Sequence, residues 1–236
     1  MDRIIRAVAA AALMAGLLAA GCGKKTASAT HSPTTDESGI ESIAPITDAV
    51  SPTANRTFTD NRDSQTYKTV TIGEQTWMAQ NLNYKTKHGA WCYDNNADNC
   101  KEYGRLYDWK TAKTVCPAGW KLPDTADWYK LIRSVGGKEI AGKKLKSKNG
   151  WINRDDASSG NGTDDYEFSA LPGGQYVTGY FNAANYGNII WTATTDASSG
   201  RFIFVLGMSY SYDYVQFGGG LNEGWGHYVR CVADSP

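Results

Sequence analysis

Pro123-Asp124-Thr125-Ala126-Asp127-Trp128-Tyr129-Lys130-Leu131-Ile132-Arg133-Ser134-Val135-Gly136-Gly137 is the most legible stretch of the chain. Trp128, Leu131, Ile132 and Val135 recur at i, i+3, i+4 and i+7, the spacing of one helix face. Asp124 is the N-cap candidate, because its carboxylate can accept from free amide groups of the first turn. Gly136-Gly137 ends the pattern. A helix over Thr125 to Val135 follows, with its Trp and Leu stripe turned to a core. Just upstream, Asp108 can cap a shorter helix from Trp109 to Val115, which Pro117 stops.

Strands flank these helices. Gln65 to Ile72 alternates and is rich in Thr, Val, Ile and Tyr. Gly73-Glu74 fits a Gly-first two-residue turn, and Gln75 to Ala79 returns as the partner strand. After Gly142 the chain reads as loop, and Asn149 to Asp165 is dense in Asn, Asp, Ser and Gly. Three strand candidates close the domain: Asn188–Thr194, Arg201–Met208 and Tyr228–Val232. The continuous apolar run of the second predicts burial on both faces. Tyr210 to Phe217 is a candidate for one more strand.

The N-terminus has a different character. Arg3 and Arg6 precede Ala7 to Ala20, an apolar and small-residue stretch too short to span a bilayer and suited to an export signal. Leu18-Ala19-Ala20-Gly21-Cys22 resembles the lipobox of bacterial lipoproteins, which implies cleavage before Cys22 and lipidation of its thiol. The match departs at Ala19, where that motif favours Leu. The alternative is an ordinary secretory signal with an incidental cysteine. Residues 22–57 are Ser, Thr, Ala, Pro and Asp with few large apolar residues. Ile40, Ile43, Ile46 and Val50 have helical spacing, but Pro45 interrupts it. The stretch reads as a disordered tether. The expected organisation is therefore a signal at 1–21, a tether at 22–57 and one domain at 58–236.

Composition narrows the function. The chain of 236 residues carries 24 Lys and Arg against 24 Asp and Glu. Removing the signal takes away only Arg3, Arg6 and Asp2, so the balance stays near neutral. That excludes the basic footprint of a nucleic-acid binder. Trp and Tyr number 8 and 14 against 6 Phe, so most of the aromatic mass carries a polar handle. Tyr210-Ser211-Tyr212-Asp213-Tyr214 alternates, and on a strand its three rings would share one face. Trp225 follows in a Gly-rich loop. Flat amphipathic rings beside Asn, Gln and Asp suit a polysaccharide surface. The competing reading is that these tyrosines pack in a sheet as half-buried aromatics.

Apart from Cys22, the cysteines are Cys92, Cys100, Cys116 and Cys231. In an exported chain they allow three disulfide pairings. Cys92 and Cys100 make a natural small-loop pair. Joining Cys116 to Cys231 would tie the first helix to the last strand. No C-x-x-C spacing is present to favour a metal site instead. Asp94-Asn95-Asn96-Ala97-Asp98 begins like a calcium loop, but position six is Asn99 and position twelve is Arg105. Asp155, Asp156, Asp164 and Asp165 form a second acidic stretch. Both are expected to be solvated loops built on Asx turns, with calcium the alternative and no cofactor otherwise implied. His31, His88 and His227 are scattered, and no Gly-x-Ser-x-Gly, His-Glu-x-x-His or phosphate-loop motif occurs.

Several segments together resemble the Fibrobacter succinogenes major paralogous domain, a family of exported bacterial surface proteins. They are Asp63–Val70, Ile72–Tyr84, Tyr103–Tyr107, Cys116–Pro123, Phe168–Gly174 and Val229–Val232. More distantly, Trp120–Trp128 and the closing Val229-Arg230-Cys231-Val232 resemble formylglycine-generating enzymes and C-type-lectin-like domains. That wider resemblance implies an α+β, C-type-lectin-like fold: two helices on a small twisted antiparallel sheet, with long irregular loops and adjacent termini. A Cys116–Cys231 bridge is of the kind such domains carry. Formylglycine-generating enzymes use a cysteine pair near their C-terminal half, and here only Cys231 lies there. The Glu-Pro-Asn and Gln-Pro-Asp triplets of sugar-binding lectins are absent. The expected function is a non-catalytic binding module on a membrane-anchored lipoprotein, at the outer membrane or cell surface. Its expected ligand is an extracellular polysaccharide, with a structural or protein-adhesion module as the alternative and an oxidase-like enzyme as a third reading.

Overall fold

The computed structural model describes residues 56–196, 202–219 and 222–234. The signal, Cys22 and the tether up to residue 55 lie outside the described residues. The first strand, β1 (Arg56–Asp60), begins two residues inside the stretch read as tether.

β1 pairs with β2 (Gln65–Ile72), and β2 with β3 (Gln75–Met78), all antiparallel. The Gly73-Glu74 turn is where the sequence puts it; Gly73 has φ +59°, a conformation that suits glycine. β13 (Val232–Ala233) and β6 (Trp120–Lys121) complete this sheet in the order β1-β2-β3-β13-β6. Both ends of the described chain thus share one sheet.

The second sheet runs β11 (Gln216–Gly218), β10 (Ile203–Ser209), β9 (Gly187–Thr195), β12 (His227–Tyr228), β5 (Leu106–Tyr107) and β4 (Ala90–Trp91). A hairpin, β7 (Gly173–Val177) and β8 (Tyr180–Ala184), joins its side through a parallel contact between Gly174 and Asn188. The single C-terminal strand expected at Tyr228–Val232 is two short strands in different sheets. The segment between them crosses from one sheet to the other.

Four α-helices occur among the described residues: α1 (Ala97–Tyr103), α2 (Trp109–Ala112), α3 (Thr125–Ser134) and α4 (Lys138–Leu145). Asp124 caps α3 by accepting from the Asp127 amide, and the Asp127 carboxylate accepts from the Asp124 amide in return. This reciprocal arrangement satisfies two free donors. Asp108 caps α2 in one direction only, accepting from the Thr111 amide at 2.7 Å, and that helix is a single turn. α1 and α4 are additions to the two helices expected.

Two apolar cores explain the sequence patterns. Trp128, Leu131, Ile132 and Val135 lie in the first, with Trp77 and Phe168; the Trp77 and Trp128 rings are 4.6 Å apart. Trp109, Ala112, Trp191 and Val229 lie in the second. Central strands serve both. Leu206 and Met208 face the first core, whereas Ile203 and Val205 face the second. Neither side of β10 can be polar, hence its continuous apolar run. The architecture is α+β and rich in curled antiparallel sheet.

Two disulfides join Cys92 to Cys100 and Cys116 to Cys231. The second ties the segment after α2 to the crossover between sheets. Beside it Arg230 is buried, and its guanidinium donates twice to Asn81 Oδ1, at 3.1 and 2.9 Å, and once to the Phe168 carbonyl. It also lies 4.4 Å from the Phe168 ring centroid. One side chain thereby holds three segments that are far apart in sequence.

Candidate functional site

The segment from Tyr210 to Tyr214 is not a strand. It is the turn between β10 and β11, and only Gln216–Gly218 is extended. The alternation Tyr-Ser-Tyr-Asp-Tyr mimics a strand period, but the main chain folds back under long-range contacts. The Lys143 amide donates to the Asp213 carbonyl at 2.8 Å, and Arg154 Nε donates to the Tyr210 carbonyl at 3.2 Å. Arg154 also pairs with the Asp213 carboxylate. Lys146 donates to the Ser209 and Tyr212 carbonyls. Gly142 of α4 completes the seat: a Cβ there would stand 2.6 Å from both the Asp213 and Tyr214 carbonyl oxygens. Glycine permits that approach of helix to turn, despite its cost inside a helix.

The rings therefore differ from three side by side on one face. Tyr212 and Tyr214 stack on each other, centroids 4.3 Å apart and planes within 7°. Tyr210 instead meets Tyr186 edge-on at 5.3 Å, and its hydroxyl lies 3.4 Å from Asp155 Oδ1. Burial and then the neighbouring Tyr212 raise the Tyr214 phenol above its ordinary pKa. A stacked pair presents at most its two outer faces, its edges and its hydroxyls to a ligand. Both rings are half-buried, on a turn and not in a sheet.

Trp225 does not join them. It is half-buried against the second core, with its ring 6.4 Å from His227, whereas Tyr210 packs against the first core. His227 is 0 % exposed, lies 4.4 Å from Trp191, and has no hydrogen-bond partner at either ring nitrogen. Burial lowers its pKa to about 3. It is a neutral core residue.

A second aromatic group escaped the sequence reading. Trp91 stacks on Tyr176 at 4.7 Å; Phe181 lies 5.0 Å from Tyr176 and 5.4 Å from Tyr93. All four are half-buried, and Tyr180 at the β7–β8 tip is 72 % exposed. The members are separated by up to ninety positions, so no local pattern marks them. Val177-Thr178-Gly179-Tyr180 did carry a hairpin-turn signal, and both Thr178 and Gly179 have positive φ.

The acidic loops are built from local turns. Asn96 caps α1 by accepting from the Asp98 amide, and Asp98 pairs with Lys101. Asp156 accepts from the Ser158 amide and hydroxyl, and Asp164 from those of Ser169. Among the described residues no group of three or more His, Cys, Asp or Glu side chains is placed to hold a metal ion.

With this geometry in view, the chain matches the model of the Fibrobacter succinogenes major domain over residues 70–233. The chain belongs to that family. No curated protein and no solved structure gives a significant match. Within this Fibrobacter succinogenes major domain the match begins late in β2 and ends in β13, so it covers the first core, both disulfides and both aromatic groups, and of the second core's buried residues it leaves out only Tyr67. None of its described helices is long and apolar enough to cross a membrane.

Proposed function

We propose that this protein is a non-catalytic binding module whose tyrosine turn recognises an extracellular polysaccharide. The observation that carries this reading is the Tyr212–Tyr214 stack on a turn whose main chain is tied down by Lys143, Lys146 and Arg154. Sugar rings offer flat C–H faces for an aromatic face and hydroxyls for phenols and carboxylates. A turn already fixed loses little entropy when it binds. The Trp91–Tyr176–Phe181–Tyr93 group is a second aromatic surface on the same domain, and its rings favour protein adhesion as the alternative use. The α+β layout with two cores, adjacent sheet ends and a Cys116–Cys231 bridge is consistent with a C-type-lectin-like fold. Cys22 is the proposed lipid attachment point, which would anchor the module at the outer membrane or cell surface.

A panel of immobilised plant cell-wall and bacterial glycans tests the ligand class. Retention of the mature protein on at least one polysaccharide, and its loss with Tyr212→Ala, supports the reading. Retention on none of them sinks it. Mass spectrometry of the mature N-terminus checks the anchor: an unmodified Cys22 thiol rules lipidation out.

A further inference from the structure

Lys146 is 0 % exposed and has no carboxylate in hydrogen-bond contact. Its ammonium instead donates to three main-chain carbonyls: Gly160 at 2.8 Å, Ser209 at 2.9 Å and Tyr212 at 3.1 Å. An ammonium has three N–H donors, and all three are used. Trp151 closes the site, its ring centroid 5.0 Å from Nζ, within the range of a cation–π contact. The three oxygens come from two segments, the loop after α4 and the end of β10 with the tyrosine turn that follows it. Convergent carbonyls with a single positive charge between them are the surroundings that an oxygen-loving cation takes in a folded loop. Gly160 is fitted to the same spot, since a Cβ there would stand 3.0 Å from Tyr210 Cβ and closer still to the Ile152 carbonyl. Burial, and then the nearby Arg154, bring the Lys146 pKa down to about 8, so the group is still largely charged at neutral pH.

We propose that Lys146 is a built-in cation: its ammonium fills a three-carbonyl site that locks the loop after α4 to the tyrosine turn and so positions Tyr212 and Tyr214. The tethered charge does what a bound ion would do, but it cannot be chelated away. Lys146 is a positioning residue, and the proposal rests on the tyrosine turn being the binding surface of the preceding section.

The test is chemical rescue in the full-length protein. Lys146→Ala leaves the carbonyls in place without their cation. The expected result is a melting temperature lower by at least 5 °C and a changed near-ultraviolet signal from the stacked tyrosines. Added propylammonium or methylammonium should restore both, saturably, at tens of millimolar. Tetramethylammonium has no N–H to donate and should restore neither. Propanol matches propylammonium in size without its charge and should restore neither, whereas a purely space-filling role would let it restore both. Should Lys146→Ala not fold, the wild-type protein supplies the second measurement. An amine-acetylating reagent should modify the exposed Lys148 while sparing Lys146 until urea is added. Equal labelling of the two lysines overturns the proposal. So does a Lys146→Met variant that melts like wild type with an unchanged tyrosine signal, or a folded Lys146→Ala variant that no amine restores. Rescue of the melt and tyrosine signal, in a protein that holds no polysaccharide before or after mutation, would uphold Lys146 and remove the glycan reading alone.

Discussion

Acid should expose His227 as a neutral core residue, and the size of its effect follows from its burial. The imidazole is flanked by Trp191 and Trp225 and accepts no partner at either nitrogen. Its folded pKa is about 3, pushed down from 6.5 by burial. As pH falls through 6.5 the unfolded chain takes up a proton that the folded chain refuses until about pH 3. The unfolded state then binds more protons, so stability falls with pH across that window. At pH 4 the two pKa values leave a gap of about 2.5 units below the unfolded value, worth about 3 kcal/mol at 1.4 kcal/mol per unit. That is a large share of the roughly 5–15 kcal/mol that holds a domain. Urea unfolding at pH 7 and pH 4 measures it, with His227→Phe as the reference. Phenylalanine costs about 1–3 kcal/mol by overpacking, but that offset is the same at both pH values. Carboxylates such as Asp60, whose pKa falls because hydrogen bonds from Arg62 outweigh its burial, titrate in both proteins and cancel. Wild type should lose about 3 kcal/mol more than His227→Phe between the two conditions. Equal losses would refute the placement of a neutral, buried imidazole beside Trp191.

Three further perturbations address the scaffold. Replacing Cys116 and Cys231 together by Ser opens a loop with a sequence separation of 115 and should cost about 4–5 kcal/mol, whereas the pair at separation 8, Cys92 and Cys100, should cost about 2–3 kcal/mol; denaturant midpoints of the two double variants rank them, and the reverse order contradicts the account. Gly142→Ala would gain about 1 kcal/mol in an isolated helix. Here its Cβ meets two carbonyl oxygens, so a net loss of about 1–3 kcal/mol is expected in a thermal melt, with displacement of the tyrosine turn. Arg230→Leu strips donors from Asn81 Oδ1 and the Phe168 carbonyl and should destabilise by about 2–5 kcal/mol in urea; a neutral result would show that the buried charge cost as much as its hydrogen bonds returned.

What was readable in the sequence was local. The α3 stripe, the Asp124 cap and the Gly73-Glu74 turn each depend on residues within a few positions, and each is found where its pattern lies. α4 was hidden by Gly142, which breaks a helical pattern for a reason that lies seventy positions away in the tyrosine turn. The alternation of Tyr210 to Tyr214 is a strand signal, yet the segment is a turn. Nothing near residue 210 announces that Lys143, Lys146 and Arg154 will take its carbonyls. The tyrosines named from sequence thus include a stacked pair, but the stacking comes from the folded-back chain and not from strand geometry. Trp225 is near the tyrosines in sequence, in a Gly-rich loop, but it packs against the second core. Assembly over distance also hid the Trp91–Tyr176 surface, which needs the Cys92–Cys100 loop and the β7–β8 hairpin to meet.

The central claim is that Tyr212 and Tyr214 make the binding surface. Isothermal titration of the mature full-length protein with the soluble polysaccharide it retains best, beside Tyr212→Ala, Tyr214→Ala and Trp91→Ala, tests it most directly. Each tyrosine variant should keep the wild-type melting temperature and lose about tenfold in affinity, the equivalent of about 1.4 kcal/mol for a lost ring contact. Trp91→Ala should bind as wild type does. Unchanged binding by both tyrosine variants, or a loss seen only with Trp91→Ala, would contradict the account and move the site to the Trp91–Tyr176 surface.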